Sequence, residues 1–108
     1  MPEQTNVTTP TPADVLLGML KIDLGISVTT YDARLAQYLT VAESDIKKEG
    51  ATTLSNTNLP DMQLIVMYAA WMWRKRDLTE VGGMPTMLRY KLNNRIFQEK
   101  MAGGEADD

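Results

Sequence analysis

The 108-residue sequence contains neither cysteine nor histidine. Without cysteine the chain can form no disulfide framework and no thiolate metal site. Without histidine it lacks the commonest general base, the commonest metal ligand and every histidine-based catalytic triad. The acidic side chains Asp61, Asp77, Glu80 and Glu99 are scattered among predicted helix starts, loops and solvated faces. We therefore predict that the chain is not an enzyme and that it holds no cofactor and no metal.

Long apolar runs are also scarce, and LIVMYAAWMW at residues 64–73 is the notable one. A transmembrane helix needs about 20 largely apolar residues. This run is half as long and is bounded by Gln63 and by the basic residues 74–76. A membrane span is therefore excluded. The remaining alternatives are a buried central helix and a helix shared with neighbouring subunits.

The two ends of the chain have too few apolar side chains to form a core. The opening MPEQTNVTTPTP also lacks the basic segment and apolar run of a signal peptide, so the expected compartment is the cytoplasm of the cell that makes the chain. The predicted organisation is an extended arm at residues 1–12, a helical domain at 13–101 and an acidic tail at 102–108.

The net charge of −3 is unevenly distributed along the chain. Residues 1–58 carry four basic and seven acidic side chains, whereas residues 59–101 carry seven basic and four acidic ones. Faces of opposite charge suit the pairing of copies with one another or the binding of nucleic acid. Ordinary solvated helix faces would produce the same distribution.

The 3.6-residue spacing of apolar side chains predicts four helices and no strand. The fold class is therefore all-α, a small bundle of about four helices. Thr11, followed by Pro12, suits the N-cap of the first helix. Thr29 or Thr30 is the expected cap of the second helix, and Asn58 that of the third.

The fourth helix is predicted from about Pro85 to Met101, with Gly103 ending it. Its apolar side chains form two stripes that are offset around the helix, which indicates two surfaces to cover. These stripes are Leu88, Leu92 and Ile96 on one side, and Met87, Tyr90, Phe97 and Met101 on the other.

The third helix is apolar on all sides. It therefore has more apolar surface than one subunit of this size can bury. The side chains expected to pack within the same subunit are Ile65, Tyr68, Ala69 and Met72. Those expected to have no partner there are Leu64, Met67, Trp71 and Trp73. Tryptophan, tyrosine and methionine are enriched at protein interfaces. We therefore expect an oligomer interface, with an entirely intramolecular core as the alternative. The candidate interface residues are Trp71, Trp73, Met87, Tyr90, Arg95, Phe97 and Met101.

Four segments follow one another along the chain: VLLGMLKIDLGI, DARLAQYLTVAESDI, LPDMQLIVMYAAWMWRKRD and GGMPTMLRYKLNNRI. Their order resembles the head–tail connector proteins of tailed bacteriophages, also called adaptor or head-completion proteins. The resemblance covers about residues 13–97. Its more specific parts are the proline-opened third helix with an aromatic, basic end, and MPTMLRYKLN. The acidic run that often opens the second helix of that family is reduced here to Asp32.

The resemblance implies a structural protein of the virion neck, made in the host cytoplasm. Members of that family form a ring, commonly of about twelve subunits, beneath the portal. The ring receives the tail or a further stopper ring, and DNA passes through its lumen without sequence-specific binding. The resemblance also suggests that the segment from about Phe97 onward docks with the portal. We expect the arm at residues 1–12 to lie on an adjacent neck protein.

The alternative is a small helical nucleic-acid-binding module that uses the basic fourth helix. The acidic composition, with a pI near 4.9, argues against it. In the connector interpretation the basic residues instead meet acidic surfaces of a neighbouring subunit or of the portal. The nucleic-acid alternative rests on Arg89, Lys91, Arg95 and Lys100, with Tyr90 and Phe97 between them. The connector interpretation assigns Arg89, Arg95 and Lys100 to the contacts with acidic surfaces.

Overall fold

The computed structural model describes residues 9–78 and 82–104 of the chain. This part contains four α-helices and no strand. The predicted all-α class and four-helix count are confirmed. Most of the predicted arm, all of the acidic end beyond residue 104 and part of the connector between the last two helices lie outside the described residues. The helices are α1 (Pro12–Leu24), α2 (Asp32–Glu49), α3 (Leu59–Lys75) and α4 (Thr86–Gly104).

Two of the predicted helix starts are confirmed by their hydrogen bonds. The Thr11 hydroxyl accepts from the backbone N–H of Asp14 at 3.1 Å, and the Asp14 carboxylate accepts from the N–H of Thr11 at 3.2 Å. This reciprocal pair is a capping box. At the start of α3, the side-chain oxygen of Asn58 accepts from the N–H of Asp61 at 3.2 Å.

The start of α2 and the end of α4 differ from the prediction. The N-cap of α2 is Tyr31 and makes no side-chain capping bond. The N–H of Asp32 donates instead to the backbone oxygen of Thr29 at 3.1 Å, so a backbone turn replaces the predicted threonine cap. Helix α4 continues to Gly104, past the predicted stop at Gly103. A glycine inside a helix costs only about 1 kcal/mol, which a helix anchored elsewhere tolerates.

Helix α3 is the centre of the bundle and packs against the other three helices. Seven of the ten residues in the apolar run 64–73 are buried, and Met67, Trp71 and Met72 are half-buried. The run is therefore chiefly intramolecular core. None of the described helices has the length and apolar content needed to cross a membrane.

The other elements supply side chains around α3. Ala51 and Leu54 of the α2–α3 connection close one end of the core. The buried side chains of the remaining helices are Leu16 and Leu20 of α1, Leu35, Leu39, Ala42 and Ile46 of α2, and Leu88 and Leu92 of α4.

Leu64 and Trp73 are not left over for a neighbour, so that prediction is wrong. Leu64 is 4% exposed and Trp73 is 8% exposed. Tyr31 and Tyr38 pack edge-on against Trp73, with ring centroids 5.4 and 5.8 Å away. The guanidinium of Arg76 lies 3.5 Å from the centre of the same ring. Tyr31 before α2, Tyr38 on α2 and Arg76 after α3 thus cover the indole that the sequence pattern left exposed.

Candidate functional site

Helix α4 is held against the bundle by its Leu88, Leu92 and Ile96 face. The first two side chains are buried, and Ile96 packs on the glycine that ends α2. That residue, Gly50, has φ +137°, a conformation that side-chain-bearing residues rarely adopt. A Cβ at this position would also lie 3.1 Å from Ile96 Cγ2. Glycine at residue 50 therefore lets α4 approach closely.

A buried ion pair fixes the rotation of α4 about its axis. Arg95 Nε donates to Asp61 Oδ1 at 2.8 Å, and Arg95 Nη2 donates to Asp61 Oδ2 at 3.4 Å. Asp61 is 6% exposed and also accepts from the N–H of Ser55 at 3.0 Å. The hydrogen bond from Arg95 to Asp61 is the main cause that raises the pKa of the guanidinium. The fork-shaped contact constrains orientation as well as distance.

Glu99, one turn after Arg95, ties the same helix to the α2–α3 connection. Its Oε1 accepts from the Thr53 hydroxyl at 2.7 Å, from the Thr53 N–H at 3.2 Å and from Arg95 Nη1 at 3.1 Å. The Thr52 hydroxyl donates to its other oxygen, Oε2. The hydrogen bonds from Thr52 and Thr53, together with that from Arg95, hold the pKa of Glu99 at about 2.

The prediction that the acidic side chains are scattered is wrong for Asp61 and Glu99. Both accept hydrogen bonds from the same guanidinium, that of Arg95. The i,i+4 spacing of Arg95 and Glu99 was a usable signal in the sequence. The partnership with Asp61 had no local signal, because the two residues are 34 positions apart. Arg95, predicted to be at an interface, thus places its charge inside the fold, with a side chain only 16% exposed.

The opposite face of α4 points away from the bundle. Met87, Tyr90, Phe97 and Met101 are between 58 and 62% exposed. At 3.6 residues per turn they lie on the side of the helix opposite Leu88 and Leu92. The predicted second stripe is therefore a real surface. Asn94, also exposed, lies among these side chains, and the five residues Met87, Tyr90, Asn94, Phe97 and Met101 are called the outer stripe below.

The outer stripe is large for an exposed apolar surface on so small a fold. At these exposures its four apolar side chains present on the order of 400 Å², comparable with the largest apolar patch of a typical monomer. The two tryptophans predicted to share the surface are on a different helix. Trp73 is buried, and Trp71 is half-buried, with Tyr68 edge-on at 5.5 Å and Lys75 Nζ at 4.1 Å from its ring centre.

A polar groove of about 500 Å³ lies between the start of α3 and α4. Its walls include amides from Gln63, Asn94 and Gln98 and the ammonium group of Lys91. Such a lining offers hydrogen bonds to a partner surface. Within the described ranges, no group of three or more acidic side chains is placed to hold a metal ion. The groove lies next to the outer stripe, since Asn94 belongs to both.

Comparison with known proteins finds no family model, no curated protein and no solved structure that matches this chain.

Proposed function

We propose that this chain is a structural subunit of the neck of a tailed bacteriophage. Copies form a ring, commonly of about twelve subunits in this kind of connector, between the portal and the tail or stopper proteins. DNA passes through the lumen without sequence-specific binding. The exposed outer stripe on a firmly anchored helix is the observation that carries the proposal, and the resemblance of residues 13–97 supports it.

The anchoring of α4 makes the outer stripe suitable for docking. The Asp61–Arg95–Glu99 network and the Ile96–Gly50 contact order the helix before any partner arrives. A surface that is already ordered loses less conformational entropy on binding than a flexible one. Phe97 and Met101 lie in the last turns of α4, where they can serve as apolar anchors in the portal.

The charges of α4 favour a protein partner over nucleic acid. Arg95 is paired with Asp61 and Glu99, and Arg89 lies 3.7 Å from Glu49. Two of the four basic side chains on which the nucleic-acid alternative rests therefore have their charges neutralised by carboxylates of the same chain. The other two, Lys91 and Lys100, flank the outer stripe and suit an acidic rim on the portal or on a neighbouring subunit.

The decisive experiment is the assembly of particles with a Tyr90→Ser, Phe97→Ser double variant. Both side chains are about 60% exposed, so the variant retains its helical circular dichroism and melting temperature. We expect heads that lose DNA or do not join tails, and loss of co-purification with the portal ring. Ile22→Ser, at an 83% exposed position on α1, is the matched control and assembles normally.

Normal infectious particles from the double variant would contradict the proposal. A salt-sensitive, sequence-selective retention of the wild-type chain on DNA would instead favour the nucleic-acid alternative. Truncation after residue 97 is a poor test, because it removes Glu99 and with it part of the network that anchors α4.

A further inference from the structure

The outer stripe has the spacing of a coiled-coil seam. Its members follow one another at intervals of three, four, three and four residues. These are the a and d positions of a heptad repeat, the pattern by which two helices bury a shared apolar seam. Met87, Asn94 and Met101 occupy a positions, and Tyr90 and Phe97 occupy d positions. The seam spans most of α4.

We infer that the outer stripe pairs with the outer stripe of a second copy of this chain, as a parallel two-helix seam about a two-fold axis. Asn94 of each copy lies at the centre and faces Asn94 of the other. Tyr90 and Phe97 form aromatic layers on either side, and Met87 and Met101 close the two ends. The free chain is then a weak dimer, and because docking on the portal would use the same stripe, the two copies must separate before either joins the neck.

Asn94 favours a second copy as the partner. Against a purely apolar surface its amide would be left without hydrogen bonds, at a cost of about 1–3 kcal/mol. A second Asn94 supplies both the donor and the acceptor that the first one needs. A single asparagine at a central a position is also the feature that fixes register in parallel two-stranded coiled coils.

The residues that border the seam agree with this pairing. In a parallel pair the e position of one helix faces the g position of the other. Lys91 then faces Thr86 of the second copy, and Gln98 faces Asn93, where the two amides can form a hydrogen bond. No like charges are opposed at these positions within the described part of α4. The core residues Leu88 and Leu92 lie on the opposite face of α4, and the start of α3 borders the seam across the polar groove at Lys91, Asn94 and Gln98.

The size of the seam sets the strength of the pairing. About 400 Å² from each copy gives on the order of 800 Å² in total, below the range of stable interfaces. Because α4 is already folded and anchored, little further ordering is required. We expect a dissociation constant between about 1 μM and about 1 mM.

Cysteine cross-linking tests the pairing cleanly, because the natural chain contains no cysteine. Asn94→Cys places two thiols at the centre of the seam, within the separation that a disulfide needs. We expect this variant to form disulfide-linked dimers about tenfold faster than Val41→Cys, because pairing raises the effective concentration of its thiols. Val41 is an exposed position on α2 and serves as the control. Equal rates for the two variants would overturn the inference.

Two further variants test the direction of the helices and the role of the amide. If the two helices are parallel, a sample of Met87→Cys alone forms disulfide-linked dimers. If they are antiparallel, Met87→Cys is linked only when it is mixed with Met101→Cys. Asn94→Asp brings two carboxylates together, so we expect the dissociation constant measured by sedimentation to rise about tenfold or more. An unchanged constant, or linkage only in the mixed sample, would contradict the arrangement.

These measurements use the purified chain alone and do not depend on the proposed function. A chain that dimerises but leaves particle assembly intact when the outer stripe is altered would refute only the neck proposal. A monomeric chain that still joins the portal through this stripe would refute only the pairing.

Discussion

Arg95 on α4 and Asp61 at the start of α3 form a buried, two-pronged ion pair, with the shorter contact at 2.8 Å. Because Asp61 is enclosed, loss of Arg95 leaves a carboxylate without its counter-charge in the protein interior. Arg95, which the sequence places at an interface, therefore has a structural role inside the fold.

We predict that Arg95→Met lowers the free energy of unfolding by about 3 kcal/mol, as expected for a buried pair that loses one partner. Arg89→Met is the matched control on the same helix. Its contact with Glu49 is 3.7 Å long and largely exposed, so the loss is about 0.5 kcal/mol or less. Urea denaturation of both variants checks the difference, and equal effects would show that the ion pair does not anchor α4.

The acid sensitivity of the fold follows from Glu99. Its pKa lies at about 2 in the folded chain against 4.5 as its ordinary value, so the ionised form is stabilised by folding. This stabilisation is complete above about pH 4.5 and is lost as the pH falls towards about 2. We expect Glu99→Gln to be less stable at neutral pH and to show a smaller decline across this window. Denaturation curves of the wild-type chain and the variant at several pH values test this, and equal declines would contradict it.

Trp73 is predicted to be essential for folding of the single chain. Trp73→Ala removes the ring that Tyr31, Tyr38 and Arg76 cover, and we expect a loss of about 3–5 kcal/mol. Phe97→Ala removes an aromatic ring that is 60% exposed and leaves the melting temperature nearly unchanged. The opposite ranking of the two variants would contradict the placement of these rings.

Two glycines are expected to respond to alanine in opposite ways. Gly50→Ala imposes strain at φ +137° and crowds Ile96, at a cost of about 1–3 kcal/mol. Gly18→Ala, inside α1 with no atom within 4 Å of the added methyl group, is expected to gain about 0.5–1 kcal/mol. Thermal melts of the two variants give this comparison directly. A stabilised Gly50→Ala chain would show that α4 does not need the close approach.

Local patterns in the sequence predicted the features that local chemistry determines. The Thr11 and Asn58 caps and the Leu88–Leu92 face each depend on residues a few positions apart, and all three are confirmed. The pairing of Asp61 with Arg95 depends on how α3 and α4 pack, which no nearby residue encodes.

The same distinction explains the two tryptophans. Periodicity showed that the run 64–73 is apolar on all sides of its helix, but it could not show which side α2 and the residue before it would cover. The answer lies in Tyr31 and Tyr38, which bring their rings to Trp73 from outside the helix. The four apolar side chains of the outer stripe were predictable because they share one helix and their exposure needs no covering element.

The placement of α4 at the margin of the bundle has a dynamic consequence. Helix α3 is enclosed by three neighbours, whereas α4 packs chiefly on α3 through Leu88 and Leu92. Its polar contacts are the ion pair of Arg95 with Asp61 in α3 and the hydrogen bonds of Glu99 with the α2–α3 connection. Elements with few buried contacts open at lower free energy than the core. Amide hydrogens of α4 are therefore expected to exchange with deuterium sooner than those of α3, as one cooperative unit that detaches while α1, α2 and α3 stay folded.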